Sequence, residues 1–375
     1  MKTRRQSRAP IPRPEILRVS PAHHGAFDYA ELAEWGLRAD DVLDFSVNSN
    51  PYGPSSPVRD ALAHVSLERY PDRESLALRR ALSGHLGNMP IARILVGNGT
   101  AELLLLLALA YLRPTDSVLV LAPAFGEYER VAALLGADVV SWRARAEDGF
   151  AISVHEVSEC LRRGDHRLAF VCNPNNPTGA VVPLAAITEW ALANPATLFV
   201  IDEAYQSFAP DCPSALAIDL DNILVLKSMT KDYALAGLRL GYAVGHEAVI
   251  AAVARVRPAW DVNALAQAAG LAALSDQAHL ERTLAALARE KARLVAGLRE
   301  IGLCPYPSAT HFFLLPVGDG AAFRRELLRR HIQVRDCASF GLPAYVRIAT
   351  RLPEENDRLL AVLREWCSES GSGTP

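Results

Sequence analysis

From about residue 66 the chain alternates between segments with apolar residues at helical spacing and short, continuously apolar runs. The helical patterns fall at 74–86, 100–112, 126–136, 154–163 and 183–193. Between and after them lie 117–121, 137–142, 168–172, 197–201, 223–226 and 240–244, largely apolar and often β-branched. A helix with one wet face repeats near 3.6 residues, whereas a strand covered on both faces is apolar throughout. The alternation therefore predicts an α/β fold whose mainly parallel sheet is sandwiched between helices. Near Ala266 the texture changes. Ala/Leu/Arg-rich helices are expected over 246–256 and 262–302, then short strands at 312–316, 333–335 and 345–349 with helices at 319–331 and 353–367. This second unit reads as α+β. Upstream, a short helix is expected at 28–36, and the run from Asp44 to Pro51 reads as a strand ending in a polar turn.

Composition narrows the class. Half of the 375 residues are hydrophobic and 22% are charged, which suits a globular protein of two domains. A formal net charge of −3 gives no reason to expect a nucleic-acid or membrane partner. The longest apolar run, 101–112, contains Glu102 and is too short to span a bilayer. The first residues are rich in arginine (Arg4, Arg5, Arg8, Arg13, Arg18) with no apolar core behind them, so 1–20 reads as a disordered basic tail, not a secretory signal. Six widely spaced cysteines and ten scattered histidines match no metal-ligand spacing, so no metal is expected and the compartment reads as cytoplasmic.

One residue type is scarce. The chain has 39 basic residues but only four lysines: Lys2, Lys227, Lys231 and Lys291. Arginine stays protonated and cannot form an imine, whereas lysine can once its pKa falls. Lys231 lies in Ser228-Met229-Thr230-Lys231, with Arg239 following, so hydroxyls and a cation surround it. Asp202 ends the apolar run 197–201, at the strand edge where α/β proteins bind ligands. An amine, a buried acid and anion donors are what pyridoxal 5′-phosphate requires. Asp202 would face the ring nitrogen, and Tyr205 and Asn176 (in Asn173-Pro174-Asn175-Asn176-Pro177-Thr178-Gly179) the ring hydroxyl. Asn98, Gly99 and Thr100 open an apolar helix whose free N–H groups can cradle a phosphate together with Ser228, Thr230 and Arg239. Phe125, after the run 117–121, is placed to stack on the ring. Each element alone is a common turn, cap or core residue; the combination carries the reading. Arg335, Arg347 and Arg351 are candidate grips for a carboxylate or phosphate.

These motifs, spread over residues 44–351, resemble fold-type I pyridoxal-phosphate enzymes of the class I/II aminotransferase family. The resemblance implies a seven-stranded, mainly parallel sheet in a large domain (66–265). It also implies a small discontinuous domain made of an N-terminal arm (21–65) and the C-terminal part (266–375). It assigns Lys231 to cofactor attachment and, at eight residues' distance, Arg239 to the cofactor phosphate. Arg69-Tyr70-Pro71-Asp72 looks like the segment whose tyrosine reaches the cofactor phosphate of the other subunit, which implies a homodimer with shared sites through Tyr70. Within the family the chain looks most like the L-threonine-O-3-phosphate decarboxylases of cobalamin biosynthesis, relatives of the histidinol-phosphate aminotransferases. That likeness rests on His24-Gly25, the run from Leu43 to Pro51, Trp260 to Ala266, and the Arg335 and Arg347 segments. It implies a phosphorylated amino acid as substrate, with His24, Gly25, Asn48 and Arg335 toward its phosphate and Arg347 on its carboxylate. Decarboxylation of threonine phosphate is the expected reaction. The alternative is transamination of histidinol phosphate or an aromatic amino acid. Ala26 in place of a second glycine, Asp232 after the lysine, and a short 339–345 segment depart from the decarboxylase pattern.

Overall fold

The computed structural model describes residues 10–19 and 25–369. Its strands, in chain order, are β1 (Leu43–Asp44), β2 (Ile94–Gly97), β3 (Ser117–Ala122), β4 (Asp138–Arg143), β5 (His166–Cys172) and β6 (Leu198–Asp202). Then come β7 (Ile223–Ser228), β8 (Gly241–Gly245), β9 (Phe312–Pro316), β10 (Ile332–Gln333), β11 (Arg335–Asp336) and β12 (Tyr345–Ala349). Seven of them form one sheet in the order β2-β8-β7-β6-β5-β3-β4. All its neighbours are parallel except β8, which runs antiparallel to both β2 and β7.

Residues of the central strands alternate between two cores. Val118, Val120, Phe170, Val200 and Leu224 join a cluster with the helices Thr100–Tyr111, Glu127–Leu134 and Glu247–Val256. Leu119, Leu121, Val171, Ile201 and Val225 face the opposite way, against Val154–Arg163 and Leu184–Ala193. Period-two alternation into two cores is why these strands are apolar at successive positions through their middles. Each such buried side chain contributes about 1.5–3 kcal/mol.

The strand polarity builds the site. Parallel β5 and β6 end together, with Cys172 opposite Asp202. Because β8 is antiparallel to both its neighbours, β2 runs the same way as β7. Gly97 and Ser228 then flank Gly241 at that same edge. The loop after β7, which carries Lys231, and the helix after β2 therefore meet beside Asp202.

A smaller antiparallel sheet, β11-β12-β9, supplies the other wall, and β1 pairs in parallel with β10. Val346 and Ile348 face a core with Phe45, Phe313 and Leu359, which turns Arg347 between them to the opposite face. The arm is tied down by main-chain bonds from Phe45 N to Gln333 O (2.8 Å) and Ala349 N to Phe45 O (3.0 Å).

Several expectations need correction. β2 was not anticipated, being only four residues long. The long helix expected at 262–302 is two, Ala264–Ser275 and Gln277–Glu300. Asp276 leaves the helical conformation between them (φ −120°, ψ 64°), and its side chain caps the second by accepting from His279 N (3.1 Å). The strand expected at 333–335 divides at Val334, with β10 pairing to the arm and β11 to β12. Within the segment read as a tail, Pro14–Arg18 is helical, and Arg13 Nη2 donates to Leu134 O (3.3 Å). Among the described residues no helix is long and apolar enough to cross a membrane.

Candidate active site

A cavity of about 750 Å³ opens where the two sheets meet, and a niche of about 90 Å³ adjoins it. Phe125, Asn176, Tyr205, Lys231 and Arg239 line both. Asp202 is 3% exposed on the niche side. Its Oδ2 accepts from Tyr128 Oη (2.7 Å) and its Oδ1 from Ala204 N (3.0 Å), which fixes the carboxylate plane. Burial raises its pKa, opposed chiefly by Tyr128, then by the Ala204 N–H and the Lys231 charge.

Lys231 is pushed down to about 8. Burial is the largest cause, followed by the charges of Arg347 and Arg239, with Asp202 acting the other way. A free amine is thus present near neutral pH, which an ordinary lysine does not offer. Attachment of a carbonyl to this amine in the apoprotein should accelerate with pH up to about 8 and level off above it, read by stopped-flow absorbance.

On the niche's other side, Ser228 Oγ and Thr230 Oγ1 lie 2.7 Å apart. The 12-residue helix Thr100–Tyr111 starts at Gly99, whose φ is +79°. A Cβ there would stand 2.8 Å from Arg239 Nη2, so glycine is what lets the guanidinium close over the helix start. Gly241 permits a second close approach, since its Cβ would sit 2.9 Å from Thr100 N. Hydroxyls, helix N–H groups and a guanidinium form an anion cradle.

Within the Asn-Pro turn the asparagines divide their work. Asn173 exchanges bonds with Val182 (Nδ2 to O 3.0 Å; Val182 N to Oδ1 2.9 Å), and Asn175 Nδ2 donates to Pro123 O (2.9 Å). Asn176, 5% exposed, has its Oδ1 engaged by Arg347 Nη1, which turns its amide nitrogen toward the cavity. Tyr205 is buried beside it, its hydroxyl raised to about 12 mainly by burial.

The opposite wall is cationic. Arg335 and Arg347 are direct cross-strand partners, so their side chains share a face. Arg347, 4% exposed, donates through Nη2 to Ser46 O (2.6 Å) and packs on the Phe312 ring (5.4 Å). Arg335 donates to Ser339 Oγ (2.6 Å) and lies over Phe340 (5.4 Å). Burial lowers both their pKa values, and Arg347 further lowers that of Arg335. Asn48 completes this wall at 2% exposure. A buried and a half-buried guanidinium on one face suit a dianion or two anionic groups.

Not every expected residue arrives here. Arg351 is turned away, held by Glu355 (3.0 Å) and Asp44 O (2.9 Å). Asn98 is exposed and contributes a main-chain N–H to Glu102 (2.6 Å), outside both cavities. Tyr70 is 78% exposed, stacked on Trp260 (4.5 Å), away from its own chain's cavity. His24 lies outside the described residues. Gly25 lines the cavity, where a Cβ would be 2.4 Å from Ser46 O. Ala26 sits at φ +97° with its N–H bonded to Ser46 Oγ (2.9 Å), a conformation suited to glycine. Ala26→Gly should gain about 1 kcal/mol, the relieved strain less the entropy of a freer unfolded chain, read as a higher urea midpoint. Tyr128 and Glu127 were missed. Both fall in a stretch read as an amphipathic helix, and only their polar atoms hinted at the site. No group of three or more metal-binding side chains occurs among the described residues.

Comparison with known proteins places this geometry. The sequence profile of the family "Aminotransferase class I and II" matches residues 40–363, and the chain belongs to that family. It is 40% identical over 345 residues to a histidinol-phosphate aminotransferase of Symbiobacterium thermophilum, covering 90% of this chain and 93% of that one. The histidinol-phosphate aminotransferase of Sinorhizobium meliloti, solved in complex with pyridoxal-5′-phosphate, superposes with a TM-score of 0.85. Its identity is 26%, covering 95% and 97% of the two chains. An L-threonine-O-3-phosphate decarboxylase of Porphyromonas gingivalis superposes at 0.76, also with 26% identity, over 87% of this chain and 100% of that one.

The cofactor is pyridoxal 5′-phosphate. The residues present fit it: a buried carboxylate at one end of the niche, an anion cradle closed over Gly99 at the other, and a free-amine lysine between.

Proposed function

We propose that the chain is a homodimeric aminotransferase acting on histidinol phosphate or a close phosphorylated analogue. The observation that carries the reading is the Arg335–Arg347 cross-strand pair, with Asn48, on the wall of the cavity that holds Lys231. An amine substrate whose phosphate ester lies close to its reacting carbon needs such a cationic wall at short range. The same arginines suit the carboxylate of an amino-acid partner in the second half of the reaction. Decarboxylation, favoured by the sequence reading, has support in a structural neighbour at 26% identity. The 40% identical relative carries the aminotransferase name, and the balance lies with transamination.

When bound, the cofactor draws electrons from the substrate Cα, so that a bond there can break. Lys231 would hold it by the amine, and its Nζ is the base placed to take the proton from the substrate Cα. Asp202, fixed by Tyr128, keeps a proton on the ring nitrogen. Asn176 and Tyr205 donate to the ring hydroxyl. Ser228, Thr230, Arg239 and the Thr100 helix start hold the phosphate. Tyr70, exposed and stacked on Trp260, is free to reach that phosphate in a second copy of the chain. Asn48, Gly25 and Arg335 receive the substrate phosphate, and Arg347 fixes the substrate's orientation.

The test is product analysis. Holoenzyme given histidinol phosphate and a 2-oxo acid should form the corresponding ketone and amino acid without CO₂. Release of CO₂ and an aminopropanol phosphate from L-threonine O-3-phosphate, with no transamination of histidinol phosphate, would restore the decarboxylase reading.

A further inference from the structure

Lys231 stands in the loop 229–240, between β7 and β8, and that loop is held from outside as well as within. Its own main-chain bonds include Ala234 N to Lys231 O (3.3 Å) and Leu235 N to Met229 O (3.2 Å). The N-terminal arm adds donors to three consecutive carbonyls. Ser49 Oγ donates to Thr230 O (3.3 Å), Asn50 N to Lys231 O (2.8 Å) and Asn50 Nδ2 to Asp232 O (3.0 Å). Two residues before Asn50, Asn48 lines the cavity. One short stretch of chain therefore meets both the substrate space and the backbone of the reactive lysine.

Asn50 is 3% exposed, and each of its polar groups is used. Its Oδ1 accepts from Tyr52 N (3.1 Å) and its carbonyl from Gly53 N (3.3 Å), which makes the turn through Pro51. The second Nδ2 hydrogen goes to Thr283 Oγ1 (2.9 Å) on the helix Gln277–Glu300. Aspartate or serine would serve for the turn, but of these side chains only asparagine adds two donors. The contact with the lysine loop accounts for that choice. From the other side Asp232, a departure from the decarboxylase pattern, accepts from Ser207 Oγ (2.7 Å) and from Tyr233 N (2.9 Å). Ser207 follows Tyr205 by two residues, so the loop is pinned between the arm and the segment that carries Asp202 and Tyr205.

We infer that Asn50 is a positioning residue for Lys231: by holding the carbonyls of Lys231 and Asp232, it fixes where the amine stands between Asp202 and the cavity. Asn50 touches neither cofactor nor substrate. The inference rests on Lys231 being the attachment amine, and not on the choice of substrate.

Arg347 from β12, Arg239 from the same loop and Asp202 from β6 are the charges that bear on the amine, and Tyr205 lines the niche beside them. None lies on the arm, so Asn50→Ser leaves that field in place and changes only how tightly the loop is held. A looser loop admits water to the amine, and burial is the main reason its pKa lies near 8. The pH midpoint for attachment of pyridoxal 5′-phosphate to the apoprotein should therefore rise by roughly 0.5–1 unit, a fraction of what full burial imposes. At pH 7 attachment should slow about 3–10-fold, since each unit of rise leaves about a tenth of the free amine. Ser49→Ala, which removes the Thr230 contact alone, should shift the midpoint the same way by less, and it keeps the test open should Asn50→Ser not fold. Thr283→Val removes the far anchor and leaves all three carbonyl contacts; it should lower the thermal midpoint yet keep the attachment midpoint near that of the wild type. Stopped-flow absorbance across pH reads all four proteins. An unmoved midpoint in the Asn50→Ser or Ser49→Ala protein, or an equal shift in Thr283→Val, would overturn the inference. Borohydride reduction of the wild-type holoenzyme separates the two claims. Label away from Lys231 would sink the attachment assignment and this inference with it, whereas label on Lys231 with an unmoved midpoint would refute the Asn50 role alone.

Discussion

Lys231→Ala should lose essentially all transaminase activity and the visible absorbance of lysine-bound cofactor, while keeping the fold. Proton transfer by a positioned side chain is worth about 10²–10⁴-fold, and here the same amine also holds the cofactor, so the loss should reach or exceed the upper figure. Among the described residues no other lysine can substitute. Lys227 is spent on Glu203 (2.6 Å) and Gln206 (3.0 Å), and Lys291 is hydrogen-bonded to the Ser308 carbonyl. Lys291 is also lowered to about 8 by burial, so a lowered pKa alone does not make the site. Position opposite Asp202 does. Steady-state assay and an absorbance scan of the reconstituted variant check this, and a small primary amine added in solution should restore part of the rate. A variant retaining a tenth of wild-type activity would refute the assignment.

Asp202→Asn should have the next largest effect. The substitution keeps an acceptor for Tyr128 Oη and removes only the charge. Losing one partner of a buried charge pair costs about 3–5 kcal/mol. At 1.36 kcal/mol per decade that is a fall in kcat of roughly 10²–10⁴-fold. A second, independent sign follows. Asp202 is the charge that raises the Lys231 pKa against burial and the two arginines. Without it the amine should titrate still lower, so the pH midpoint for cofactor attachment should move below that of the wild type. Stopped-flow mixing of apoprotein and cofactor across pH measures this. An upward shift would contradict the geometry.

The parts of this site legible in the sequence share a physical trait. Asp202, Asn176 and Lys231 follow or flank continuous apolar runs, and a polar, reactive side chain at the end of a doubly buried strand stands out. Arg335 and Arg347 were legible as cations on strands, but not as neighbours, because cross-strand register is a property of the folded sheet. Tyr128 was hidden for the opposite reason: its ring obeys the helical period and stacks on Phe170 (5.1 Å), so only its hydroxyl is functional. The helix break at Asp276 carries neither proline nor glycine, and a single aspartate cap inside an Ala/Leu-rich stretch is a weak signal. The four-residue β2 is recognisable chiefly by its pairing with β8.

The choice of reaction turns on the cationic wall; the chemistry itself turns on one amine. Borohydride reduction of the holoenzyme followed by peptide mapping asks directly which amine that is, since only four lysines can answer. The pyridoxyl group should be found on the peptide carrying Lys231 and nowhere else. Label on the peptides of Lys2, Lys227 or Lys291, with Lys231 unmodified, would contradict the account.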